Sequence, residues 1–81
     1  MTDREQVRAE IAKFVKKPAA KVGDGVALMD LVQESFVLVE LVIELQETFS
    51  VRFAQEDLSA VKSVGDLIDL VLRRRRGGAP A

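Results

Sequence analysis

The sequence contains no histidine, cysteine, tryptophan or tyrosine. Each absence removes a class of chemistry. Without cysteine there is neither a disulfide staple nor a thiolate metal site. That usage suits a reducing cytoplasm. Without histidine the commonest general base is missing. A serine hydroxyl with no base beside it is a poor nucleophile, so the chain reads as a non-enzyme without a metal centre. No apolar run reaches the ~20 residues needed to cross a bilayer. The first ten residues, "MTDREQVRAE", are charged and have no apolar signal core. The expectation is a cytoplasmic chain without membrane attachment.

What is present is one small domain. Eighty-one residues that are 48% apolar suffice for one compact core, and a chain of this length buries only ~60% of its unfolded surface. The thirteen acids and twelve bases nearly balance, but they are not mixed. Residues 30–57 hold seven acids and one base, a net charge of −6. Residues 1–21 carry six bases and three acids, and residues 58–81 five bases and two acids, so each is net +3. The chain is polarised, with its acidic part in the middle.

Thr2 is a plausible N-cap, and Val7, Ile11, Phe14 and Val15 recur at helical spacing. A first helix is therefore expected at about 3–16, ended by Pro18. Residues 17–33 read as a long loop with a helical turn near 27–31. Over 36–49 the β-branched residues alternate as a strand would, but Glu40, Glu44 and Glu47 recur at +4 and +7. On a helix those acids share one face, and Leu38, Leu41, Val42, Leu45 and Phe49 form an apolar stripe opposite. The second helix is thus expected at about 35–49, with Ser35 at its start. A connector over 50–55 and a short helical turn over 56–61 follow. "SVGDLIDLVLRRRR" reads as the last helix. Ser63 would cap it, with Asp66 completing an acidic capping box, and Leu67, Ile68, Val71 and Leu72 would be buried. Gly77 and Gly78 would stop it, leaving 77–81 as a disordered tail behind a domain at 1–76. The fold class expected is all-α: a small four-helix bundle with a long first loop and a short third helix.

The second helix has one odd flank. Phe36, Val39 and Ile43 cannot face the core with the stripe, so they stand among Glu40, Glu44 and Glu47. Apolar side chains rimmed by charge mark a contact surface. The alternative is a wider buried face, covered on a second side by the bundle. Ser35 also has two readings. It is a good N-cap residue, or it is a hydroxyl offered to a modifying enzyme that brings its own base.

The stretch "LVQESF", its continuation "VELVIELQETFSVRF" and the final "VKSVGDLIDLV" together resemble the acyl carrier protein family over about residues 4–72. The resemblance implies a four-helix carrier in which Ser35 matches the signature serine. That serine receives 4′-phosphopantetheine from coenzyme A as a phosphodiester, and the arm's thiol carries acyl groups as thioesters. A chain without cysteine would thus import its sulfur. The resemblance further implies partners: a phosphopantetheinyl transferase, and enzymes that load, condense and modify the acyl group. They would dock on Glu34, Glu40, Glu44 and Glu47, with Phe36, Val39 and Ile43 as apolar contacts. Three positions depart from the family's pattern: Glu34 replaces Asp, Phe36 replaces Leu, and Val32 replaces a glycine. These departures would narrow the set of partners and point to a specialised polyketide or fatty-acid-type pathway. The Gly-Gly that precedes the serine in peptidyl carriers is absent before Ser35. A stand-alone monomer is expected.

Two rival readings remain. An unmodified helical adaptor would use the same apolar flank. Arg73–Arg76 could suit a nucleic-acid-binding module, but no aromatic interleaving or groove-reading motif accompanies them, and cations at a helix C-terminus complement its dipole.

Overall fold

A computed structural model describes residues 3–77. These form five α-helices: α1 (Asp3–Val15), α2 (Leu28–Leu31), α3 (Ser35–Phe49), α4 (Gln55–Ser59) and α5 (Val64–Gly77). A single 3-10 turn, Ala19–Lys21, lies between α1 and α2. No strand occurs among the described residues. The expected four-helix bundle is present as α1, α3, α4 and α5, with α2 as the turn expected inside the first loop.

α1 stops at its own C-cap before Pro18 is reached. Lys16 takes a left-handed φ of 60°. Its N–H donates to Lys13 O at 3.3 Å, and that of Lys17 donates to Ala12 O at 3.0 Å. This is a Schellman ending built on lysine where glycine is usual. α3 ends in a related way: Ser50 has φ 55°, and Val51 N–H donates to Gln46 O at 3.0 Å. Thr2, the cap expected for α1, lies outside the described residues, as do 78–81. α5 includes Gly77, one residue past the expected domain boundary.

The first loop is stapled to the start of α5. Val64 N–H donates to Val26 O at 2.9 Å, Gly65 N–H to Asp24 O at 2.9 Å, and Leu28 N–H to Lys62 O at 3.0 Å. Gly65 permits this approach. A Cβ there would lie 3.0 Å from both the Cβ and the carbonyl oxygen of Asp24. Arg4 pairs with Asp24 at 2.6 Å and also with Asp69, and Arg8 pairs with Asp24, so charged side chains of α1 tie the same loop to α5. The capping box of α5 forms as expected. Asp66 N–H donates to Ser63 Oγ at 3.2 Å, and the Asp66 carboxylate accepts from the N–H of Lys62 at 3.1 Å and of Ser63 at 3.2 Å.

The core joins Val7 and Ile11 of α1, Leu41 and Leu45 of α3, and Leu67, Ile68 and Val71 of α5, all fully buried. Val22, Leu28 and Val32 of the first loop join them. Val32, which stands where the family pattern has a glycine, is thus a core side chain. Val42 is buried, but Leu38, Phe49 and Leu72 are half-buried and pack against the core's edge. Leu70, not among the residues expected to face the core, is buried as well. The arginine run is partly engaged. Arg74 pairs with Asp57 of α4. Arg75 stands over the Phe49 ring at 5.6 Å and lies 3.9 Å from the Asp3 carboxylate.

Candidate functional site

The start of α3 is open. Its N-cap is Glu34, whose side chain makes no capping bond, and Ser35 is the first helical residue. Ser35 is exposed. Its hydroxyl has no hydrogen bond among the described residues, so the capping role is not the one it plays. The first intrahelical bonds run from Val37 N–H at 3.0 Å and Leu38 N–H at 3.2 Å to Glu34 O. The N–H groups of Ser35 and Phe36 have no partner among the described residues. Free N–H groups and the positive end of a helix dipole favour an anion at this point. A phosphodiester on the Ser35 oxygen would sit against that end, so the residues present fit the group.

Phe36 is 61% exposed, Val39 55% and Ile43 47%. These values decide between the two readings of the flank: it is open, not a second buried face. Glu34, Glu40, Glu44 and Glu47 are also exposed. None of these four is ion-paired among the described residues, although Thr48 Oγ1 donates to Glu44 at 3.4 Å. α3 therefore presents an unneutralised acidic surface with apolar side chains set into it. Met29 of α2, 51% exposed, adds another apolar group.

The structure adds a cavity that the sequence reading did not contain. It has a volume of about 240 Å³ and lies between α3 and the segment that includes α4. Leu38, Val39, Val42, Ile43 and Gln46 form the α3 wall, with Phe53, Leu58 and Val61 opposite and Leu28 and Leu67 completing the lining. Ser35, Val39, Val42 and Gln46 are spaced by four, three and four residues, which puts them on one helical row. The exposed hydroxyl and the cavity thus share a face of α3. The signal for the opposite wall was present as Phe53, Leu58 and Val61, apolar residues in a stretch read only as connector and turn.

Residues 5–71 match the family model described as phosphopantetheine attachment site. The chain belongs to the acyl carrier protein family. The carrier is 25% identical over 83 residues to an acyl carrier protein of Rhodococcus erythropolis, which covers 96% of this chain and 91% of that one. It is 29% identical over 70 residues to polyketide-8 synthase acyl carrier protein 2 of Streptomyces avermitilis, covering 85% and 80%. Its fold matches the crystal structure of an acyl carrier protein from Thermotoga maritima with a TM-score of 0.69 and 28% identity, covering 90% of this chain and 91% of that one. Membership makes this a carrier and not a catalyst, one that works with a phosphopantetheinyl transferase and pathway enzymes. No helix among the described residues is long and apolar enough to cross a membrane.

Proposed function

We propose that Ser35 is the residue that carries 4′-phosphopantetheine, and that the carrier presents acyl thioesters to a specialised polyketide or fatty-acid-type pathway in the cytoplasm. The observation that carries this reading is the placement of Ser35. It is an exposed, unbonded hydroxyl at the open end of α3, on the helical row that lines an apolar cavity. In the attachment step a new P–O bond forms to Ser35 Oγ, the diphosphate bond of coenzyme A breaks, and adenosine 3′,5′-bisphosphate leaves. The hydroxyl proton goes to a base of the transferase, because no histidine exists here to take it. When bound, the arm supplies the thiol that this chain lacks. Glu34, Glu40, Glu44 and Glu47 form the docking surface for basic patches on partner enzymes, with Phe36, Val39 and Ile43 as its apolar contacts. Unpaired acids on an open face support this part. Val39 and Ile43 also line the cavity, so docking and shelter of the acyl chain meet at the same side chains. The carrier works as a monomer.

The test is incubation with coenzyme A and several broad-specificity transferases, followed by peptide mapping. The adduct is expected on Ser35 and absent from Ser35→Ala. An adduct elsewhere, or the same adduct on the variant, contradicts the assignment. No adduct with any transferase would favour the unmodified adaptor.

A further inference from the structure

Nine of the ten residues that line the cavity are apolar, and the exception is Gln46. Its amide oxygen accepts the Phe53 backbone N–H at 2.9 Å. That bond fixes which way the amide is turned, because only its oxygen can accept. The NH₂ group is then held on the other side, and it has no partner among the described residues. Gln46 is thus the one side chain bearing a donor in an otherwise apolar lining, its NH₂ open to solvent and not sealed in; an apolar chain that displaced that solvent would leave the donor unmet, which is costly.

An alkyl chain in the cavity offers that donor nothing and displaces any water that would meet it. A chain bearing an oxygen offers an acceptor. We propose that Gln46 is a specificity-determining residue: its amide donates to a keto or hydroxyl oxygen on the carried acyl chain, so the cavity selects oxygenated chains over plain alkyl chains. The proposal rests on the reading of Ser35 as the attachment point. Gln46 lies eleven residues beyond Ser35 on the shared row, about 16 Å along the helix axis. The acceptor is therefore an oxygen out along the arm and chain, not one at the phosphodiester.

Gln46→Glu isolates the donor. It keeps an oxygen for Phe53 N–H and replaces NH₂ by a second acceptor. Wild type and Gln46→Glu are loaded from octanoyl-, 3-oxooctanoyl- and 5-oxooctanoyl-coenzyme A, and the adduct is mapped. Thioester cleavage by hydroxylamine is then timed for each, relative to the same thioester on free pantetheine. In wild type at least one oxo chain is expected to be protected about fivefold more than octanoyl, the worth of one ordinary hydrogen bond. In Gln46→Glu that difference vanishes. The side-chain NH₂ signals of Gln46 in ¹⁵N-labelled wild type are expected to move with that oxo chain and not with octanoyl, a readout that needs no variant to fold. If the adduct maps to Ser35 but all three chains are protected alike and the NH₂ signals stay in place, the cavity proposal is overturned and the attachment reading stands. If the adduct maps elsewhere, the attachment reading fails and takes the proposal with it.

Discussion

Leu45 and Phe49 lie one turn apart on the apolar stripe of α3, and the sequence does not distinguish them. The structure does: Leu45 is fully buried, whereas Phe49 is half-buried beneath Arg75. Leu45→Ala is therefore expected to cost about 3 kcal/mol, a large part of a small domain's stability. Phe49→Ala should cost less than the ~3–5 kcal/mol of a fully buried phenylalanine. Denaturant melts of both variants check the order, and a reversed order would show that the core is centred elsewhere. Single residues were legible where local chemistry decides them. Ser63 and Asp66 cap α5 because the spacing itself brings oxygen to N–H. Lys16 in a left-handed conformation was not legible, because nothing in lysine prefers it and the helix–loop junction imposes it.

At the scale of elements, α3 was the most legible part of the chain. The Glu40, Glu44, Glu47 period fixed its phase, and that phase left Phe36, Val39 and Ile43 outside, where the structure has them. Like charges at i,i+4 cost about 0.2–0.5 kcal/mol per pair, so the acids do not serve the fold. Reversing Glu40 and Glu44 to lysine should leave the melting temperature nearly unchanged. It should slow modification of Ser35 and flatten the salt dependence of partner binding. Ile43→Ala should weaken binding with little change in salt dependence. Binding across a salt series tests both, and unimpaired lysine variants at low salt would reduce the acidic face to a solvated surface. α4 was legible only as a turn, because its role depends on a distant partner. Asp57 both accepts the Ala54 N–H at 2.9 Å and pairs with Arg74. That pair ties the cavity wall bearing Leu58 and Val61 to α5. Arg74→Ala should speed hydrogen exchange in α4 while leaving exchange in α1 and α3 unchanged. Equal exchange in α4 would show that the pair holds nothing.

At the scale of the molecule, the charge blocks seen in the sequence acquire places. Glu34, Glu40, Glu44 and Glu47 of the middle segment lie open at the start of α3 and along it, whereas Asp57 of the same segment, with Asp24 and Asp66, is bound into the fold. Asp24 is held below its ordinary value of 3.8 chiefly by the Arg4 hydrogen bond. Asp57 is lowered by the Ala54 N–H and then by Arg74, and Asp66 by the N–H groups of Lys62 and Ser63. A carboxyl whose folded value is depressed contributes its full stabilisation above the unfolded value and loses it as pH falls through the folded one. Stability should thus be nearly flat across roughly pH 5–8, where no histidine titrates. It should decline as pH falls below about 3.8. Urea midpoints against pH check this, and a loss of stability near pH 6 would contradict it.

The central claim is that this chain works through a group it does not itself encode, attached at Ser35. The most direct measurement is the intact mass of the protein purified from its native host, with fragmentation to locate any added group. A phosphopantetheine adduct is expected on the Ser35 fragment, free or acylated, and is expected to disappear in Ser35→Ala. A native protein with unmodified Ser35 under conditions where its pathway is active would contradict it.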